Sequence, residues 1–211
     1  MEKKWVLMTN DDGIEAPGFE HLVKAMNRAG IPLVAFAPST NKSACSMQLN
    51  LGKPIDLHNR NELIEQWNLD ASVGVHLFAL DGTPCDTMIV ALDGGLKHVM
   101  PDIQPSIVLS GVNLGPNLSQ DSYHSGTMGA AREAGLYGMP AIASSYTSFD
   151  PEGMQVGIDA TVELLQRVLP LVPSVPQNIC RPHIDARSEH CLLYTSPSPR
   201  DMRRSRMPSS A

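Results

Sequence analysis

The sequence has few cysteines and no apolar run of membrane-spanning length. Its four cysteines form no C-x-x-C pair and have no histidine cluster beside them, so we expect free thiols rather than a zinc site or disulfide framework. Charges, proline or glycine interrupt the apolar stretches, which argues against a transmembrane helix. The N-terminal apolar run reaches residues 10–12 too early for a signal peptide, so we expect a cytoplasmic protein.

Excess positive charge and several familiar motifs are also missing. The formal net charge is −6, which argues against a protein that grips nucleic acid by its phosphates. The chain contains no G-x-x-x-x-G-K-[ST] loop and no G-x-G-x-x-G after its first strand. Ser125 lacks the preceding glycine of a G-x-S-x-G elbow. P-loop kinases, nicotinamide-dependent enzymes and serine hydrolases are therefore disfavoured.

Short apolar segments alternate with helical patterns over most of the chain. Buried strands are predicted at 5–9, 32–37, 106–110 and 140–144, with weaker ones at 55–57 and 73–78. This alternation predicts an α/β fold with a doubly wound, mostly parallel sheet between two layers of helices. In such sheets, ligands bind beyond the carboxyl ends of the strands.

The pattern changes near residue 173. Proline, serine and arginine become frequent, and hydrophobic periodicity is lost. We therefore predict one domain over 1–172, which is incomplete, and a disordered or non-native tail over 173–211.

Two adjacent carboxylates, Asp11 and Asp12, follow the first predicted strand. Ionising both there is costly unless a cation lies close to them. Oxygen ligands of this kind suit Mg²⁺ or Mn²⁺. An ordinary Asx turn with an Asp helix cap explains the pair equally well.

Two further polar segments follow other strands. Ser43 can complete a hard-metal shell and Lys42 can meet a phosphate, although a solvated loop is the simpler interpretation of 41–46. Segment 110–117 offers glycines for close ligand approach and asparagine amides for metal or phosphate, but a glycine-rich turn explains it as well.

The last candidate segment begins a helix of small residues. Ser125, Gly126 and Thr127 stand where free N–H groups and the helix dipole attract an anion. A serine N-cap without a ligand is the alternative. The neighbouring His124 could donate a proton, although a lone histidine is more often an ordinary side chain.

Taken together, these segments resemble the SurE family (survival protein E), metal-dependent 5'/3'-nucleotidases. Order and spacing match over about residues 5–169, in five strings: 9–18, 37–38 with 42–44, 82–84, 110–117, and 125–127 with 130–134. The resemblance implies a Rossmann-like fold, a divalent cation (Mg²⁺ or Mn²⁺), a nucleoside monophosphate substrate and a homodimer or tetramer.

The resemblance also assigns residues. It implies metal ligands at Asp11, Asp12, Ser43 and Asn113, with the two aspartates catalytic. It implies phosphate binding at Ser125, Gly126 and Thr127, with Asn10 and Asn117 nearby.

The function expected is hydrolysis of a nucleoside monophosphate to nucleoside and phosphate. The attacking group is a water molecule or an Asp carboxylate. An inactive nucleotide- and metal-binding remnant and another metal-dependent α/β enzyme, such as a nucleotide-sugar transferase, are the alternatives.

Overall fold

A computed structural model of the protein describes residues 3–174. These residues form a six-stranded sheet in the order β3-β4-β2-β1-β5-β6. All neighbouring strands pair in parallel except β3, which is antiparallel to β4. The strands are β1 (Trp5–Thr9), β2 (Leu33–Pro38), β3 (Leu57–Asn59), β4 (Val75–Leu80), β5 (Pro105–Leu114) and β6 (Ala141–Tyr146).

Helices connect the parallel strands and cover the sheet. They are α1 (Pro17–Arg28), α2 (Glu62–Gln66), α3 (Pro84–Val90), α4 (Leu96–Val99), α5 (Asp121–His124), α6 (Gly126–Leu136) and α7 (Met154–Val168). A π-helical segment, Ala91–Gly95, joins α3 to α4, and short 3₁₀ turns occupy Ala71–Val73 and Pro151–Gly153.

The two faces of the sheet bury separate apolar clusters, because successive strand side chains point to opposite faces. On β1, Val6 and Met8 pack with α1 and α7, whereas Leu7 packs with α3 and α6. The protein is therefore the three-layer, doubly wound α/β fold that the alternating pattern predicts.

Helix α1 illustrates how the sequence sets an element. Pro17 starts it, since a proline at the first helical position loses no intrahelical bond. Phe19, Leu22 and Met26 recur on one face and are fully or almost fully buried. Gly30 ends the helix region at φ +70°, a conformation that favours glycine.

The strand order determines where a ligand can bind. Strand β1 is central, with β2 on one side and β5 on the other. The chain builds the β2 side of the sheet first and then crosses from β4 to β5 on the other side of β1. A crevice opens at the carboxyl edge of the sheet where this reversal occurs.

Three predicted strands differ from the structure. Strand β4 begins at Val75 rather than at residue 73, and β5 continues to Leu114 rather than ending at Ser110. A third, β3, occupies Leu57–Asn59 rather than residues 55–57. The extension of β5 is a tertiary effect, because Asn113 and Leu114 pair with β6 after a shift in register. Most of the predicted tail at 173–211 lies outside the described residues.

Within residues 3–174, no helix combines the length and apolar character needed to cross a membrane.

Candidate functional site

A cavity of about 260 Å³ opens at the carboxyl edge of the sheet, beside the ends of β1 and β5. Five of the residues predicted from the sequence line it: Asp11, Ser43, Asn113, Asn117 and Ser125. The chain therefore brings side chains from four distant segments to one place, at the crevice that the strand order defines.

Asp11 is buried and held from two directions. Its backbone oxygen accepts a hydrogen bond of 2.6 Å from the Lys42 amide, which ties the loop after β2 to the end of β1. Its Oδ1 accepts a 2.6 Å hydrogen bond from Thr127 Oγ1. Asp11 is thus held through its backbone by the loop after β2 and through its carboxylate by the first turn of α6.

Helix α6 begins directly beside this carboxylate. A Cβ placed on Gly126 would lie 2.8 Å from Asp11 Cβ and 2.9 Å from Cys45 Sγ, so a glycine is needed for the close approach. The helix N-terminus carries partial positive charge, which favours the buried carboxylate and any anion near it.

The first turn of α6 keeps two backbone donors open. Ser125 is the N-cap, and its hydroxyl accepts from the Met128 amide at 3.1 Å. Gly126 and Thr127 do not themselves line the cavity, but among the described residues none accepts a hydrogen bond from either amide. Free first-turn amides together with the helix dipole are a recognised way to bind phosphate.

Asp12 is half-buried next to Asp11 but does not line the cavity. Burial, and then the negative charge of Asp11, raise its pKa from 3.8 to about 6. Its nearest hydrogen-bond donor is Asn41 Nδ2, 3.5 Å from Oδ1. A bound cation would relieve the repulsion between the two carboxylates.

Ser43 reaches the cavity from the loop after β2. Its amide donates to Asn41 Oδ1 at 2.9 Å, which forms a local turn, and its side chain is exposed at the cavity. The turn and the Lys42 bond to Asp11 together place this hydroxyl near the aspartates.

Asn113 lies within β5 rather than in a loop. Its Nδ2 donates to the Gly115 oxygen at 2.9 Å, and no donor within residues 3–174 is bonded to its Oδ1, which remains available to a ligand. The strand can run on to Asn113 because position 111 is glycine. Gly111 has φ +121°, and a Cβ there would lie 2.3 Å from the Ser144 oxygen of β6.

The two remaining asparagines differ in position. Asn10 forms a closed turn with Gly13, donating from Nδ2 to its oxygen at 2.8 Å and accepting from its amide at 3.3 Å, and it does not line the cavity. Asn117 lines the cavity and donates to Ser145 Oγ at 2.7 Å.

Three further side chains with functional groups line the cavity: Asp121, His124 and Phe149. His124 could be found from the sequence alone, because it is adjacent to Ser125 in the predicted phosphate-binding segment. Asp121 and Phe149 carry no such signal, because they belong to a short helix and to the loop after β6.

The predicted metal ligands are all oxygen atoms. The described part of the chain has no cluster of three or more His, Cys, Asp or Glu side chains suited to a metal. Ser43 and Asn113 oxygens are therefore needed beside the two carboxylates. Such a hard donor set fits Mg²⁺ or Mn²⁺ rather than a softer ion.

The fold and this edge together define a doubly wound α/β protein with an acidic, oxygen-rich ligand site. A family model described as "Survival protein SurE" matches residues 6–201. The chain belongs to the SurE family.

Named relatives agree with this assignment. "5'-nucleotidase SurE" from Anaeromyxobacter sp. (strain Fw109-5) is 35% identical over 171 residues, which are 81% of this chain and 60% of that protein. "5'-nucleotidase SurE" from Rhizorhabdus wittichii (strain DSM 6014) is 33% identical over 202 residues, covering 94% of this chain and 73% of that protein.

A solved structure, SurE protein from Aquifex aeolicus, superposes with a TM-score of 0.62 at 28% identity. The match covers 79% of this chain and 60% of the Aquifex aeolicus chain. The chain spans about half to three-fifths of the length of several curated relatives that it matches.

Proposed function

We propose that this protein is a metal-dependent phosphomonoesterase that hydrolyses nucleoside monophosphates to nucleoside and phosphate. The observation that carries the proposal is a single cavity lined both by Asp11, whose carboxylate accepts a hydrogen bond from Thr127, and by Ser125, the N-cap of α6. Two relatives that carry the name 5'-nucleotidase SurE support the same reaction.

The metal ligands we propose are Asp11, Asp12, Ser43 and Asn113, which would hold Mg²⁺ or Mn²⁺. A divalent cation there would neutralise charge on a phosphoryl oxygen as the P–O bond breaks. The arrangement also answers an electrostatic problem, because the aspartates and a phosphate are all anionic and need a cation among them.

The phosphate cradle we propose is formed by Ser125, Gly126 and Thr127. The Gly126 and Thr127 amides donate to phosphoryl oxygens, and the Ser125 hydroxyl keeps a proton to donate while its oxygen caps α6. Asn117, which lines the same cavity, contributes its amide, and Asn10 supports the turn carrying Asp11 and Asp12.

The attacking group is either a water molecule or one Asp carboxylate. Borohydride added during turnover distinguishes them. Attack by Asp11 or Asp12 forms an aspartyl phosphate, which the reductant converts to homoserine, whereas direct attack by water leaves both aspartates unmodified.

The proposal is tested by phosphate release from AMP and GMP with Mg²⁺, Mn²⁺ or a chelator. We expect activity that requires the cation, and a loss of at least about 100-fold in kcat for Asp11→Asn. Isothermal titration with Mn²⁺ should show weakened binding in the same variant. Asp102→Asn, an exposed acid before β5 at the opposite edge of the sheet, is the control. Full metal-dependent activity in Asp11→Asn would refute the assignment.

We also propose a cytoplasmic location and a homodimer or tetramer. Cys45 and Cys85 are free thiols in the described structure, which suits a reducing compartment. Light scattering on the purified chain measures its oligomeric state, and a monomeric mass would contradict that part of the proposal.

A further inference from the structure

One wall of the cavity is apolar. Leu114, Gly115, Pro116 and Phe149 lie on it, whereas the candidate metal and phosphate residues are polar. The two parts are linked by one hydrogen bond, from Asn113 Nδ2 to the Gly115 oxygen at 2.9 Å. The apolar wall therefore begins at Leu114, directly after the candidate metal ligand Asn113.

Phe149 is the most exposed large side chain of this wall. Its side chain follows β6, and the Gly115 amide donates to the last residue of β6, Tyr146, at 3.1 Å. Phe149 is 74% exposed, so most of the ring surface is open to solvent.

The contact with Gly115 orients the ring. A Cβ on Gly115 would lie 2.4, 2.9 and 3.1 Å from Cε1, Cδ1 and Cζ of Phe149, which are consecutive atoms along one edge. Gly115 has φ +111°, so both its backbone conformation and the close approach favour glycine. Because Phe149 is 74% exposed despite this contact, much of its ring surface remains open to a ligand.

The size of the cavity also bears on the ligand. At about 260 Å³ it lies just below the roughly 300–1,000 Å³ that is typical of pockets that enclose a small molecule. A ligand whose phosphate is held at α6 can extend its remaining substituent along the apolar wall of this cavity. Phe149, exposed at that wall, is the aromatic surface such a substituent would meet.

We propose that Phe149 is a base-stacking residue, on which the nucleobase of the substrate lies while its phosphate is held at α6. This inference rests on the proposed function and adds the reason why a nucleoside ester is preferred to a simple phosphate ester. Aromatic stacking tolerates every base, because each base has a π-face. We therefore expect a requirement for a base with little preference among bases.

The test compares AMP with ribose 5-phosphate, which has the same phosphoester and no base. Wild-type protein should have a lower KM for AMP. Phe149→Ala should raise KM for AMP about 5- to 150-fold, the equivalent of about 1–3 kcal/mol per stacked base, and leave ribose 5-phosphate unchanged. Phe149→Tyr, which keeps the ring, should retain AMP binding.

Leu171→Ala is the matched control, since Leu171 is an exposed apolar residue beyond α7 that does not line the cavity. It should change neither substrate. Calorimetric titration of the metal-loaded protein with AMP and with ribose 5-phosphate gives a second readout that needs no turnover.

The outcomes separate the two proposals. If wild-type protein hydrolyses neither ester, the proposed function fails, and the calorimetric difference between AMP and ribose 5-phosphate still decides the role of Phe149. If both esters behave alike, or if Phe149→Ala weakens them equally, stacking is refuted while the phosphatase assignment stands.

Discussion

Helices α3 and α6 pack against each other on one face of the sheet, and each has a hydroxyl residue as its N-cap. In α3 the Thr83 hydroxyl accepts from the Asp86 amide at 3.2 Å, and Asp86 Oδ2 accepts from the Thr83 amide at 2.8 Å. This reciprocal capping box closes the helix end on itself.

The end of α6 is capped on one side only. Ser125 accepts from Met128, but the methionine side chain cannot return a hydrogen bond. The first residue of α3 is Pro84, which has no N–H, whereas α6 starts with Gly126, which has one. The residues at the first and third helical positions thus decide whether a helix end only stabilises the fold, as in α3, or can also bind an anion, as in α6.

The largest effect is expected from Gly126→Ala. The new methyl would meet Asp11 Cβ at 2.8 Å, so the carboxylate must shift. A misplacement on the order of 1 Å can cost about 100-fold in rate, and we expect a loss of that size in kcat/KM for AMP with little change in Tm.

Gly135→Ala in the same helix is the control for that variant. Nothing lies within 4 Å of a Cβ at Gly135, so alanine should stabilise the helix by about 0.5–1 kcal/mol and leave activity unchanged. Equal activity of the two variants would show that the contact between α6 and Asp11 does not matter for turnover.

The second effect comes from making the α6 end resemble the α3 end. Met128→Glu places a carboxylate at the third helical position, where its negative charge repels a phosphate at the open amides. We expect KM for AMP to rise about tenfold or more, the equivalent of about 1.4 kcal/mol. Steady-state kinetics at low salt provide the measurement.

Met128→Gln has nearly the same shape without the charge and should have a much smaller effect on KM. If glutamine and glutamate raise KM equally, the cause is steric, and the electrostatic view of this helix end is wrong.

The third effect concerns stability rather than activity. Thr83→Ala removes the cap of α3 and also the 2.6 Å hydrogen bond from Thr83 Oγ1 to the Gln48 oxygen. We expect a loss of about 0.5–2 kcal/mol, seen as a Tm lower by about 2–4 °C per kcal/mol, with kcat/KM retained within about fivefold. Thr83→Ser keeps the hydroxyl and should recover most of the loss. A large activity loss without destabilisation would contradict a structural role.

This contrast between helix ends is local and can be predicted from the sequence. Asp86 stands three residues after Thr83, whereas Met128 stands three residues after Ser125, and the capping rule distinguishes them. The position of Asp11 after a buried strand is equally local. The doubly wound fold follows from alternating strand and helix patterns in the same way.

Other parts of the site depend on contacts between distant segments. Asn113 was expected in a loop, but pairing with β6 continues the strand, and the register shift there has no periodic signal in the sequence. Asp12 was expected to share the cavity with Asp11, yet it lies just outside the lining. Phe149 gains its place from an approach to Gly115 that only three-dimensional packing sets.

The smallest effect concerns the carboxylates buried between the two helices. Asp86 accepts hydrogen bonds from Thr83 and Asn50, whereas Glu133 of α6 accepts none from the residues that the structure describes. Burial, and then the charge of Asp86, raise the pKa of Glu133. Ionised Glu133 therefore destabilises the fold. The stability that the protonated side chain contributes is complete below the unfolded pKa of about 4.3 and is lost as pH rises through the folded pKa.

Glu133→Gln should consequently be more stable than wild type at pH 7–8, with the advantage shrinking towards pH 4, as measured by urea unfolding across that range. Glu163→Gln is the matched control, because Glu163 is exposed on α7 and pairs with Arg167. Its loss should cost at most about 0.5 kcal/mol near neutral pH, with the opposite sign. If the advantage of Glu133→Gln stays constant with pH, then packing, and not the buried charge, is the reason why Glu133 lowers the free energy of unfolding.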